Sequence, residues 1–188
     1  MDGRMLELRQ FADPDDCAAV IAAYERSRGA HGAVVGDPFF DRRVMWIGSF
    51  PDTENPARRI LQSWRHRATA VASTWAGHRV FSDTIQVVRW DGQPMPPHRD
   101  HRHPDGSPNP TPWRDWAGII YLNDGYAGGR LIFPETGAQY TPTAGALVLF
   151  SGDVLHGVEA ASGGPRYTAP AWFTADAAHA DPWAEVRF

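Results

Sequence analysis

The sequence predicts a mainly β fold, a sandwich or barrel braced by two N-terminal helices, and three observations predict it. Turns are many and long helices few, since the 188 residues include 18 Gly and 16 Pro. From residue 84 onward, eight short runs rich in Val, Ile, Tyr, Phe and Trp follow at close intervals, at 84–90, 94–98, 117–123, 130–134, 138–141, 145–150, 154–160 and 166–173. Helical periodicity is confined to two stretches before residue 84. Short strands separated by Gly, Pro, Asn and Asp, without helices between them, favour a sandwich or barrel over a βαβ sheet.

The first element is a short strand within 4–11, where Leu6 and Leu8 alternate with polar neighbours. Asp13 then caps a helix with Pro14 in its first turn, and Gly29 lies just past its end. Cys17, Val20, Ile21 and Tyr24 form the apolar stripe of that helix. A second start signal, Asn55-Pro56, opens a longer helix running to about Gly77. Ile60, Trp64, Ala68, Val71 and Trp75 recur along it at helical spacing, and so broad a face needs a sheet to cover it. The stretch 101–116 is too polar and proline-rich for a strand and reads as a long loop, of the kind that often binds ligands. Pro170, inside the last run, removes a ladder donor and predicts a bulge or an edge.

The bulk properties suit one domain, 1–188, with 1–83 as a support region and 84–175 as the core. A net charge of −4 gives no electrostatic footprint for nucleic acid, and no apolar run is long enough for a membrane span. The N-terminus lacks the apolar core of a secretion signal, and the single cysteine, Cys17, fits a reducing, cytoplasmic setting. Cys17 reads as a small buried apolar residue of the first helix. All 18 basic residues are Arg, so any carboxylate anchor must be a guanidinium, which binds carboxylates bidentately.

The chemistry concentrates in His98-Arg99-Asp100. Residues two apart in a strand point to one face, so His98 and Asp100 can reach one ion, and His156 in a later strand offers a third ligand. Two imidazoles and one carboxylate form a facial triad that leaves metal positions open. His101 and His103 follow in the proline-rich loop, where preorganisation is poor, and read as solvated loop residues.

Residues 84–173 resemble the catalytic core of prolyl-4-hydroxylase-type Fe(II)/2-oxoglutarate dioxygenases. The matching text runs from Gln86-Val87-Val88-Arg89-Trp90 before the His-x-Asp to Tyr121-Leu122-Asn123 and Gly128-Gly129-Arg130-Leu131-Ile132-Phe133-Pro134. It continues through Pro142-Thr143-Ala144-Gly145, Leu147-Val148-Leu149-Phe150 and His156-Gly157-Val158 to Gly164-Pro165-Arg166-Tyr167 and Trp172-Phe173. The resemblance implies a double-stranded β-helix (jelly-roll) core, iron(II) held by His98, Asp100 and His156, and oxidative decarboxylation of 2-oxoglutarate with O2. Ascorbate is a candidate accessory reductant on the same grounds. Arg166 stands where the family places the basic partner of the distal carboxylate of 2-oxoglutarate, and a dianion entering an apolar barrel needs such a partner. Tyr121 would donate to that carboxylate.

Strand parity agrees with this placement. Arg166, Thr168 and Trp172 share a face, as do Ile119 with Tyr121, Gln86 with Trp90, and His156 with Val158. Ile119, Leu131, Val158 and Trp172 would wall the pocket against water, a role that core packing describes equally well. Trp90 stands where relatives often carry Tyr, and Met95 lies just before His98; an indole donates but cannot accept a hydrogen bond. Relatives that halogenate have a small residue in place of the carboxylate, so Asp100 predicts hydroxylation.

For the substrate, Arg114 stands where related hydroxylases line the entrance; it would bind a substrate carboxylate or pair with Asp115 or Asp105. Trp113 and Trp116 flank it, to cover the site or anchor the loop. Residues 36–50, with Arg42, Arg43 and Trp46, match in position a segment that covers substrate in such enzymes. The expected reaction is hydroxylation of an aliphatic C–H bond in a small substrate such as a free or tethered, proline-like amino acid. A peptidyl-prolyl 4-hydroxylase acting on a protein or peptide is the alternative. A base-demethylating oxygenase disagrees with the acidic charge balance, and a non-catalytic cupin-like binding module leaves the ordered set of His98, Asp100, His156 and Arg166 unexplained.

Overall fold

The computed structural model of the chain describes residues 5–27 and 43–181. Its strands are β1 (Met5–Leu8), β2 (Val44–Trp46), β3 (Phe81–Trp90), β4 (Met95–His98), β5 (Trp116–Tyr121), β6 (Ala127–Gly128), β7 (Leu131–Phe133), β8 (Ala138–Tyr140), β9 (Leu147–Ser151), β10 (His156–Val158), β11 (Ala161–Ser162) and β12 (Arg166–Thr174). Two α-helices, α1 (Pro14–Arg26) and α2 (Asn55–Ala76), precede β3. A six-stranded sheet in the order β1-β9-β5-β12-β3-β2 faces a four-stranded sheet in the order β4-β10-β7-β8. All pairings are antiparallel, giving the expected mainly β jelly roll braced by two helices.

Alternation along the strands divides the large sheet into two faces. Ile85, Val87, Leu147, Leu149, Ala169, Ala171 and Phe173 pack towards the helices. Ala117, Tyr121, Val148 and Phe150 point the other way, into a second core shared with Leu131, Phe133 and Val158 of the small sheet. Helix α1 starts as expected: the Asp13 carboxylate accepts from Asp15 N–H at 2.8 Å, with Pro14 in the first turn. It ends at Ser27, and Gly29 lies outside the described residues. Helix α2 ends at Gly77, whose φ of +74° is the left-handed conformation that glycine adopts without cost.

The buried face of α2 differs from the expected stripe. Ala57, Leu61, Trp64, Ala68 and Ala72 are buried, while Ile60, Val71 and Trp75 flank them half-buried. Small residues let the helix approach the sheet closely, and Leu61 and Trp64, both fully buried, each contribute roughly 1.5–3 kcal/mol of apolar burial. Arg65, also fully buried, donates to Asp181 at 2.6 Å and to Gln62 at 2.8 Å, tying the segment after β12 back to α2.

All eight sequence-read strands are present, and β2, β6 and β11 are additions whose two or three residues carry too little pattern to reveal them. Pro170 is a further correction. It lies neither at an edge nor at a bulge, because β12 sits between β5 and β3. The ladder to β3 passes from Thr168↔Val88 to Ala171↔Ile85 without a pair at Pro170, which has no N–H to give, and the bulge falls at Trp172/Phe173. Among the described residues no helix is long and apolar enough to cross a membrane.

Candidate active site

Three side chains converge at the open end of the small sheet. His98, last residue of β4, sits directly opposite His156, first residue of β10. The two rings are 4.4 Å apart at 53°. His98 Nδ1 bonds the Pro96 carbonyl at 2.9 Å and His156 Nδ1 bonds the Val154 carbonyl at 3.0 Å. A carbonyl only accepts, so each Nδ1 carries the proton and each Nε2 offers a lone pair. Those Nε2 atoms lie 3.7 and 4.0 Å from one oxygen of Asp100. Burial holds the His156 imidazole below the ordinary histidine range, although the Asp100 carboxylate pulls the other way. It is therefore neutral, the form that binds a metal.

Asp100 is fixed by its own backbone. Its N–H donates to the Gly152 carbonyl at 3.0 Å, and its carbonyl accepts from the side chains of Asn109 and Thr111. Gly152 is required there, because a Cβ would stand 2.1 Å from the Arg114 carbonyl oxygen. The second carboxylate oxygen of Asp100 is buried without a partner. Ligand atoms from His98, Asp100 and His156 all lie within 4.8 Å of one another, and theirs is the group among the described residues suited to a metal ion.

These residues border a cavity of about 560 Å³ between the sheets. Its lining includes Gln86 and Trp90 from β3, Ile119 from β5, Val158 from β10, and Arg166, Thr168 and Trp172 from β12. Met95, Arg114 and Trp46 line it nearer solvent, and Trp46 is 43% exposed. Tyr121 and Leu131 are fully buried in the inter-sheet core behind this wall. The Arg166 guanidinium lies 5.4 Å from the centre of the Tyr121 ring. The Tyr121 hydroxyl, the Arg166 Nε and the Gln86 side-chain oxygen are buried without hydrogen-bond partners. Burial raises the Tyr121 phenol, with Arg166 opposing, so it stays a neutral donor.

Other expectations on this region change. Arg114 pairs with neither Asp115 nor Asp105: its Nε donates to Asp83 at 2.7 Å and its guanidinium stacks 4.0 Å from the centre of the Trp172 ring. Asp115 instead accepts from Ala175 N–H, and Asp105 from Ser107. Trp113 does not line the cavity; it stacks on His179 at 4.2 Å and anchors its loop. Trp116 packs on His78. His101 is only partly exposed and bonds the Gly152 carbonyl at 3.1 Å, whereas exposed His103 borders the cavity mouth. Arg42 lies outside the described residues. Sequence reading missed Asp83, which no local pattern ties to Arg114, and Tyr126, whose only signal was its place just before Gly128-Gly129.

Residues 85–174 match the model of the 2OG-Fe(II) oxygenase superfamily. Human prolyl 3-hydroxylase 2 is 29% identical over 143 residues, 68% of this chain, and the chain spans only 20% of that protein. A PKHD-type hydroxylase of Pseudomonas putida is 29% identical over 177 residues, covering 89% of this chain and 77% of the relative. Among solved structures, the viral collagen prolyl hydroxylase of Paramecium Bursaria Chlorella virus-1, in its 2OG complex, superposes with a TM-score of 0.67 at 18% identity, over 92% of this chain and 96% of that one. With matched segment, fold and relatives in agreement, the chain resembles the 2OG-Fe(II) oxygenases, prolyl hydroxylases among them.

Proposed function

We propose that this chain, acting as a single domain, is an Fe(II)- and 2-oxoglutarate-dependent dioxygenase that hydroxylates an aliphatic C–H bond of a proline-like substrate. The observation that carries the reading is the meeting of two complementary sets at one apolar cavity: His98, Asp100 and His156 at one end, and at the other Arg166 with Tyr121 buried against it. The donor set fits the groups in question. Two imidazoles and one carboxylate suit iron(II) and leave positions free. A buried guanidinium nitrogen and a buried phenol, each without an acceptor, suit the remote carboxylate of 2-oxoglutarate.

When bound, iron(II) and 2-oxoglutarate would supply the electrons that activate dioxygen, the oxidant, for attack on a C–H bond, with succinate and carbon dioxide as co-products. The protein's part is to hold and to shield. His98 and His156 are oriented by the Pro96 and Val154 carbonyls, so their Nε2 atoms stay aimed without rotamer search. Asp100 occupies with a carboxylate the position that a halide would need, which favours hydroxyl transfer. Arg166 and Tyr121 neutralise and orient the co-substrate's far end, and Ile119, Val158 and Trp172 keep water from the reacting atoms.

Cavity charge bears on the substrate. Among the described residues, Asp100 is the one carboxylate in the lining, and it is engaged with the metal in this reading. A free α-ammonium would be desolvated there without a counter-charge, at a cost of several kcal/mol. This favours a tethered or N-acylated amino acid over a free one. A second reading, a peptidyl-prolyl hydroxylase, draws on the names of human prolyl 3-hydroxylase 2 and the viral collagen prolyl hydroxylase. The test is succinate formation in the presence of N-acetylproline, proline-containing peptides and free proline. Stimulation by N-acetylproline or by a peptide above the level with free proline supports the reading and separates its two forms. Equal stimulation by free proline removes the charge argument, and no 2-oxoglutarate-dependent succinate from any mixture contradicts the activity.

A further inference from the structure

We propose that the Tyr126 hydroxyl is a third donor to the distal carboxylate of 2-oxoglutarate, beside Arg166 and Tyr121; this rests on the dioxygenase reading above. Three buried polar atoms gather around Arg166 without partners: the Tyr121 hydroxyl, the Tyr126 hydroxyl and Arg166 Nε. A buried donor left unpaired costs about 1–3 kcal/mol, and folded proteins carry few of them. Neighbouring donors that lack an acceptor call for one brought by a ligand. The Arg166 guanidinium lies close enough to donate to both phenol oxygens, but it has no lone pair to offer, so neither hydroxyl proton finds an acceptor there.

The local backbone is shaped for this contact. Gly129, with φ +66°, carries no Cβ; one placed there would stand 2.9 Å from Cε2 of Tyr126 and 3.3 Å from Cδ of Arg166. The Tyr126 ring and the Arg166 stem therefore occupy the space that Gly129 leaves. The turn that carries Tyr126 is tethered: β6 pairs with β11 through Gly128↔Ala161, and Gly129 N–H donates to the Ala160 carbonyl at 3.0 Å. Burial pushes the Tyr126 phenol up to about 12 against the nearby Arg166 charge, so at neutral pH it remains protonated and able to donate. A carboxylate offers about four acceptor positions, enough for a bidentate guanidinium and two phenols.

The experiment is an anaerobic titration of 2-oxoglutarate into the iron(II)-loaded full chain, read by the visible absorption band and by calorimetry, for wild type, Tyr126→Phe, Gly129→Ala and Arg166→Ala. Losing one hydrogen bond to a charged group predicts roughly 10-fold weaker 2-oxoglutarate binding in Tyr126→Phe, with iron affinity unchanged and the ligand-free melting temperature no lower than that of wild type. 2-Oxobutanoate, which lacks the distal carboxylate, should bind wild type and Tyr126→Phe equally. Gly129→Ala, which pushes on the Tyr126 ring, should show the same ligand-selective loss. Unchanged 2-oxoglutarate affinity in Tyr126→Phe, with Arg166→Ala still weakened, would overturn this assignment alone. An equal loss for 2-oxobutanoate would also overturn it, as a general packing effect. A wild type that binds no 2-oxoglutarate would overturn the dioxygenase reading itself.

Discussion

The large sheet shows one set of strands to two different surroundings. On the helix side, Ile85, Val87, Ala169, Ala171 and Phe173 meet α1 and α2 across an apolar interface, and the buried Arg65 there is matched by Asp181. On the cavity side, the residues one position along the same strands are Gln86, Val88, Thr168, Pro170 and Trp172, beside Arg166. Both faces are shielded from solvent and both carry buried donors without acceptors: Trp64 Nε1 and Arg65 Nε lie on the helix side, whereas on the cavity side two hydroxyls, of Tyr121 and Tyr126, join a guanidinium nitrogen at Arg166. Each orphan of the cavity set costs stability, and a fold tolerates that cost where a ligand completes the set. One face therefore holds the protein together, and the other holds what it binds.

Substitutions on the two faces should separate stability from ligand affinity. The largest effect on stability is expected from Trp64→Ala, which empties a fully buried site between α2 and the sheet. A loss of about 3–5 kcal/mol by denaturant unfolding is expected, with 2-oxoglutarate affinity of the folded fraction unchanged. A parallel drop in affinity would show that the two faces are coupled.

A smaller effect concerns acid. His156 is held below its ordinary range by burial, so the unfolded chain binds more protons than the folded one between the two values. Stability of the metal-free protein then rises with pH across that window. It is fully present above roughly pH 6.5 and is lost as pH falls towards and through the lower folded value. Melting temperatures at pH 7.5 and 5.5 should differ more for wild type than for His156→Gln. Arg65 on the helix face does not titrate here, so an identical acid slope in both proteins would move its source away from the cavity face.

Much of this division was legible in the chain. Strand alternation at Arg166, Thr168 and Trp172, and at Ile119 and Tyr121, assigns the inward face correctly because a side-chain period of two leaves no other choice once one residue is placed. The helix caps at Asp13 and Gly77 were equally plain, being local chemistry. What escaped was set by tertiary contact. Asp83 meets Arg114 only because the loop before β5 folds back over β3. Trp113 turns away from the cavity because His179, beyond the last strand, offers it a stacking partner. On α2 the expected Trp64 and Ala68 are buried, but close packing on the sheet adds Ala57, Leu61 and Ala72 to them and leaves the bulkier Ile60, Val71 and Trp75 at the flank. Pro170 escaped too, since a strand can omit two ladder pairs, here at Ala169 and Pro170, and keep its register on both sides.

The central claim is that His98, Asp100 and His156 hold iron at one end of a cavity whose other end, at Arg166, holds 2-oxoglutarate. Its most direct measurement is the pair of affinities, for iron(II) and for 2-oxoglutarate, determined anaerobically in wild type, Asp100→Ala and Arg166→Ala. Asp100→Ala should lose iron affinity by at least about 100-fold, since it removes a ligand rather than a residue supporting one. Arg166→Ala should bind iron as wild type does while 2-oxoglutarate binding weakens by roughly 100-fold. Iron affinity untouched by Asp100→Ala, or 2-oxoglutarate affinity untouched by Arg166→Ala, would contradict the account.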